Sequence, residues 1–126
     1  MNEIEILGKF KSNLIDFLEE LDEIVPDDPD LITLRIFVND QIPTQDLVKS
    51  FVQNLYQHKD RVAARDANFF LNKKDLFAKV KPETLEKFKR IWRSKTLDDA
   101  DRQAIWSWAD LFYKLGDEYV KVGALR

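Results

Sequence analysis

The sequence contains no cysteine and a single histidine, His58, among its 126 residues. Without cysteine, a disulfide framework, a thiolate zinc site and a cysteine nucleophile are excluded. One imidazole is too few for a histidine-rich metal site. Glycine is also scarce: Gly8, Gly116 and Gly123 stand alone, so the chain has no glycine-rich loop that could wrap a phosphate.

Long apolar runs are missing as well. None approaches the roughly 18–20 residues that a membrane-spanning helix needs. The first fifteen residues carry Glu3, Glu5, Lys9 and Lys11 where a signal peptide needs an apolar stretch. We therefore expect a soluble, intracellular protein that does not insert into membranes.

The composition that remains is typical of a folded domain. The chain is 44% apolar and 34% charged, and its length predicts a single domain over residues 1–126. No stretch alternates apolar and polar residues for long, whereas apolar residues recur at three- and four-residue spacing. We predict an all-α fold of about five helices with short connectors: about 3–25, about 29–40, 44 to about 65, a fourth from residue 82, and 96 to about 122.

Local signals mark several ends of these helices. Asp28 followed by Pro29 is the pattern of an N-cap and a first helical residue. Thr96 and Asp99 form an approximate capping box for the fifth helix, and Gly123 is expected to end it. Residues 68–74 are expected to interrupt the helices as a packed connector, with Asp66 and Asn68 turning the chain.

The apolar stripes of the predicted helices indicate a common core. A side chain on the apolar face of an amphipathic helix is expected to be buried against its neighbours. Nine residues are predicted to be mostly buried: Phe17, Leu21, Phe51, Leu55, Phe88, Trp92, Trp108, Phe112 and Leu115.

Charge is distributed unevenly along the chain, although the formal net charge is only −3. Residues 1–30 hold ten acids against two bases, a net of −8, and residues 73–95 hold nine bases against three acids, a net of +6. The two segments could pair with each other in the fold or in an oligomer, or the basic segment could bind phosphate. Both interpretations are open at this stage.

The chain lacks the constellations that catalysis or metal binding require. Di-iron bundles need Glu-x-x-His pairs, and His58 has no glutamate three residues before it. The aspartates near residue 28 lack the glycine and glutamate of a calcium loop, and no serine lies in a glycine-flanked elbow. We therefore predict a protein that is not an enzyme, with no catalytic residue, no metal ligand and no cofactor.

The last predicted helix carries two apolar stripes. Trp108, Phe112 and Leu115 belong to the first, and Trp106 and Tyr113 lie on the opposite face. A central helix packed on both sides would have this pattern, as would a helix that presents aromatic anchors to a partner. On the second interpretation, the partner-binding residues are Arg102, Trp106 and Tyr113, with Lys89 and Arg93 from the basic segment.

A resemblance to known proteins is found in three stretches of the chain: the acidic stretch near residues 17–26, Arg65–Leu71 and Ile105–Leu115. The pattern resembles that of small helical proteins from large DNA viruses of algae and amoebae. The resemblance implies a viral origin, a structural role in the particle and a location in the host cytoplasm or the virion.

These observations together predict a non-enzymatic protein-interaction or assembly module, whose partner is another protein or a second copy of the chain. The alternative is a nucleic-acid-associated protein that binds through residues 73–95.

Overall fold

The computed structural model describes residues 2–73 and 82–123. All regular structure in these residues is helical, with seven α-helices, a π-helical turn and a 3-10 turn. The all-α class is confirmed, whereas the predicted number of about five helices is too low. The elements are α1 (Glu3–Ile24), α2 (Pro29–Ile36), the π turn (Phe37–Gln41), α3 (Thr44–Asn54), the 3-10 turn (Tyr56–His58), α4 (Lys59–Ala63), α5 (Ala67–Asn72), α6 (Pro82–Arg93) and α7 (Asp99–Lys121).

The long helices α1 and α7 pack against each other and organise the rest. Helix α3 contacts both of them, and α2 with the π turn packs on α1. The main core cluster lies between α1, α3 and α7, and a second cluster lies between the end of α1 and α2. The buried members of the first cluster are Ile6, Phe10, Val48, Val52, Phe112, Leu115 and Tyr119.

The N-terminal signal of α2 is confirmed. The Asp28 carboxylate accepts hydrogen bonds from the backbone N–H groups of Asp30 at 2.9 Å and Leu31 at 3.4 Å, and Pro29 is the first helical residue. These bonds satisfy two of the donors that a helix start leaves unpaired.

The predicted capping box of the last helix is wrong by two residues. The N-cap of α7 is Asp98, whose carboxylate accepts from the backbone N–H of Asp101 at 2.8 Å, while the Asp101 carboxylate accepts from the Asp98 N–H at 3.2 Å. Thr96 instead lies in the preceding turn, where its N–H donates to Ser94 Oγ at 3.1 Å. A carboxylate pair is a stronger acceptor than the threonine hydroxyl, which favours the later start.

The predicted helix from residue 44 to about 65 is broken near Leu55. The Leu55 carbonyl accepts hydrogen bonds from the Tyr113 hydroxyl at 2.5 Å and from the His58 N–H at 3.0 Å. An uninterrupted α-helix would instead use that carbonyl for the N–H four residues later. The hydrogen bond from Tyr113 of α7 to this carbonyl accompanies the change from α-helix to a 3-10 turn.

The predicted connector at residues 68–74 contains a helix, α5, up to Asn72. Arg65, which follows α4, has a left-handed φ of 55°, and the Asp66 carboxylate then accepts from the Phe69 N–H at 3.1 Å to begin α5. The predicted role of Asp66 is confirmed. Phe70 contacts the Trp106 ring, whereas Phe69 contacts the His58 ring, so adjacent rings point to different neighbours.

The acidic and basic segments meet where α6 reaches the start of α2. Lys87 Nζ lies 3.0 Å from Asp28 Oδ2 and 3.4 Å from Asp30 Oδ2, and the Asp28 side chain is 6% exposed. Burial by itself raises the pKa of Asp28. The hydrogen bonds from Lys87 and the two backbone N–H groups outweigh burial, so this pKa lies below its usual value.

We expect Asp28→Asn to lower the free energy of unfolding by about 1–2 kcal/mol at pH 7, because asparagine still caps α2 but carries no charge for Lys87. The folded pKa of Asp28 is depressed, so its contribution is complete above the unfolded pKa of about 4 and is lost as the pH falls through the folded value. Urea melts of the variant and the parent should therefore differ at pH 7 and converge once the pH lies below the lowered pKa of Asp28.

Asp30→Asn is the matched control for this prediction. Asp30 lies farther from the ammonium, at 3.4 Å, and its side chain is 43% exposed, so a smaller loss of stability is expected. Equal losses in the two variants across the whole pH range would contradict the assigned role of Asp28.

Six of the nine residues predicted to be mostly buried are half-buried: Phe17, Phe51, Leu55, Phe88, Trp92 and Trp108. Leu21, Phe112 and Leu115 are buried as predicted. The six half-buried side chains all point into one cavity, which leaves part of each surface uncovered.

Candidate functional site

A cavity of about 390 Å³ lies among α1, α3, α6 and α7 in the described part of the chain. Its lining is largely apolar and rich in aromatic rings. A volume of this size falls within the range of roughly 300–1,000 Å³ that is usual for small-molecule sites. The cavity is therefore the strongest candidate for a binding site among the described residues.

One wall of the cavity is built from α1, α3 and α7. The ring centroid of Phe10 lies 5.2 Å from those of Phe51 and Phe112, and Phe17 lies 5.8 Å from Trp108. These rings meet in edge-to-face or tilted arrangements, which the ring quadrupole favours. The wall is thus an ordered aromatic surface.

The orientation of Trp108 within this wall is set by a polar contact. Its indole N–H donates to the carboxylate of Glu20 on α1. A half-buried indole N–H usually finds such a partner, because leaving it unpaired costs free energy. Glu20, an acid of the first helix, therefore positions the Trp108 ring in the cavity wall.

The opposite wall joins α5, α6 and α7. Trp106 lies at its centre, with its ring centroid 6.2 Å from Phe70 and 5.8 Å from Trp92. The Arg65 guanidinium stands 5.4 Å from the Trp106 ring, a cation–π contact. With Trp108 on the first wall, all three tryptophans of the chain line the cavity.

Arg102 attaches α6 to the start of α7. Its guanidinium donates to the Trp92 carbonyl at 2.8 and 3.1 Å and to the Ser94 carbonyl at 3.1 Å. These carbonyls lie at and just beyond the end of α6, where helical carbonyls lack intrahelical partners. Arg102 therefore positions the α6 wall of the cavity.

Arg65 attaches the end of α4 to α7. Its guanidinium makes two bonds of 2.8 Å to the carboxylate of Asp110 on α7. The hydrogen bonds from Arg65 lower the pKa of Asp110. This bidentate pair secures the left-handed Arg65 backbone against α7 and supports the wall that contains Trp106.

Of the aromatic residues predicted to anchor a partner, Tyr113 is buried and Trp106 is half-buried. Tyr113 is 8% exposed, its hydroxyl is bonded to the Leu55 carbonyl, and burial raises the pKa of this phenol well above its usual value. Trp106 is half-buried between Phe70 and Trp92. The α7 arrangement thus agrees with the central-helix interpretation, and Tyr113 cannot act as a surface anchor.

The five predicted partner-binding residues do not form one exposed surface. Trp106, Tyr113 and Lys89 line the cavity, and Arg102 supports its wall. Arg93 is exposed in the last turn of α6. The sequence analysis missed other lining residues, such as Ser50 and Ala109, because small side chains carry no periodic signal of their own.

The basic segment is partly neutralised within the described residues. Lys87 pairs with Asp28 and Asp30, and Lys89 Nζ lies 3.1 Å from Glu86 Oε1. Residues 74–81, which include three further lysines of the predicted phosphate-binding segment, lie outside the described residues. Internal pairing of Lys87 supports the first of the two charge interpretations for this part of α6.

Over residues 2–73 and 82–123, no three histidine, aspartate or glutamate side chains converge as metal ligands would. In the same residues, no helix combines the length and apolarity needed to cross a membrane. No protein-family model, curated protein or solved structure matches this chain. The resemblance to viral proteins therefore stays a prediction, and a functional proposal has to start from the geometry of the cavity.

Proposed function

We propose that this protein is a non-enzymatic binding module that takes apolar groups of a partner molecule into the aromatic cavity. The observation that carries the proposal is the half-burial of six side chains with core-type periodicity around about 390 Å³ of space. Protein interiors normally close to the packing density of organic crystals. A partner that covered these rings would remove their exposed apolar surface from water, and this burial contributes favourable hydrophobic free energy to binding.

The chemistry of the lining favours binding over catalysis. Its small hydroxyl, Ser50, accepts a hydrogen bond from Asn54 Nδ2 at 3.3 Å, and no described lining residue is a histidine, aspartate or glutamate that could act as its base. The role is thus the non-enzymatic interaction role predicted from the sequence. The contact surface is the interior of the cavity instead of an exposed stripe on α7.

The three cavity tryptophans provide a direct assay. N-phenyl-1-naphthylamine, an uncharged apolar dye, should bind in the cavity and quench tryptophan fluorescence by energy transfer. Ala109→Phe adds a ring to the lining and should weaken dye binding about tenfold or more, since overpacking such a site costs on the order of 1–3 kcal/mol. Fluorescence titration measures the change, with circular dichroism as the check on folding.

Ala100→Phe is the matched control, because Ala100 is exposed in the first turn of the same helix. It should bind the dye like the parent. Failure of the parent to bind the dye, or equal weakening in both variants, would contradict the proposal.

Phe77 belongs to residues 74–81, outside the described residues, and Phe77→Ser tests whether this part of the chain supplies the occupant. If the cavity is a site for a partner, this variant should bind the dye like the parent. A gain in affinity of about tenfold or more would show that Phe77 competes for the space, and the proposal would then be wrong.

A further inference from the structure

Lys89 is the charged residue among the described side chains that line the cavity. Its side chain is 14% exposed, so most of it lies against the protein. The ammonium group lies 3.1 Å from Glu86 Oε1, and the Glu86 side chain is 56% exposed. The cavity thus has an apolar interior and Lys89 in its lining, and the ammonium group of Lys89 pairs with the mostly exposed Glu86.

We propose, on the basis of the function proposed above, that the ligand is an anionic amphiphile of the long-chain carboxylate class. Its hydrocarbon chain would lie among the aromatic rings, and its carboxylate would bind the ammonium group of Lys89. A half-buried cation gains most from an anion that reaches it inside the protein, because the low local dielectric strengthens a charge-assisted hydrogen bond.

The surrounding charges favour an anion as well. Helix α6 carries Lys87, Lys89, Arg90 and Arg93 against Glu83 and Glu86, so it is net positive. No carboxylate belongs to the described lining, and the entering anion would share the Lys89 ammonium with Glu86 Oε1 at 3.1 Å. A cationic amphiphile would be repelled by Lys89, and a neutral one would leave its ammonium without an additional partner.

The test compares dodecanoate with dodecanol, which have the same chain length and different head groups. Each is titrated against the full-length protein by tryptophan fluorescence. Dodecanoate should bind the parent about tenfold more tightly than dodecanol, and Lys89→Met should remove this preference.

Lys121→Met is the matched control, since Lys121 also forms an i,i+3 ion pair, with Glu118 at 3.7 Å, but does not line the cavity. It should keep the parent's preference for dodecanoate. Equal dodecanoate affinities in Lys89→Met and the parent would overturn the assignment of Lys89 while leaving the dye result intact.

Two further outcomes distinguish a failure of the proposed binding function from a wrong assignment of the ligand. If neither dodecanol nor the uncharged dye binds, the proposed function itself fails. If the protein sediments with phosphatidylglycerol vesicles but does not bind monomeric dodecanoate, the anion belongs to a membrane surface, and the small-molecule assignment is wrong.

Discussion

Replacing Val48 with aspartate is expected to unfold the protein. Val48 lies on α3 with 0% exposure, in the cluster where α1, α3 and α7 meet. The neighbouring buried members of this cluster are apolar except for the Tyr119 hydroxyl. Burial of an unpaired carboxylate, charged or protonated, costs several kcal/mol, which is comparable with the ~5–15 kcal/mol stability of a typical domain.

Far-UV circular dichroism and thermal melting at pH 7 measure this loss. Gln53→Asp is the control, because Gln53 is exposed on the same helix and a charge at this position stays in water. A cooperative melt of Val48→Asp close to that of the parent would mean that α3 does not pack between α1 and α7.

The second large effect is expected for Phe112→Ala. Phe112 is 7% exposed, and its ring lies 5.2 Å from Phe10 and 6.0 Å from Phe17. Truncation of such a ring removes apolar contacts and leaves a void, at a cost of about 3–5 kcal/mol. Urea denaturation should show this loss as a lower midpoint with an unchanged slope.

Lys114→Ala provides the comparison on the same helix, since Lys114 is exposed and should change the stability little. A loss below about 1 kcal/mol for Phe112→Ala would contradict the position of α7 at the centre of the fold.

The local sequence was sufficient for many helix boundaries. Asp28 and Pro29 begin α2, Pro82 begins α6, and Gly123, with a φ of +68°, lies just beyond the end of α7. These signals act within one turn of the helix, through cap hydrogen bonds and backbone preferences. A sequence contains everything needed to recognise them.

The two breaks that raise the number of helices depend on distant residues. The break near Leu55 involves the hydroxyl of Tyr113, 58 positions away, and the left-handed Arg65 is held by Asp110, 45 positions away. Hydrophobic periodicity is averaged over a local window and carries no information about such partners. The prediction of one continuous helix to about residue 65 therefore could not anticipate them.

The two stripes of α7 show the same division. The sequence by itself determined that Trp106 and Trp108 lie on opposite faces, because the helical repeat sets the angle between residues. Only the tertiary structure decided that both rings contact neighbouring aromatic rings and that both line one cavity. Periodicity identifies an apolar face, but whether that face is packed or left open depends on how the shapes of remote helices fit together.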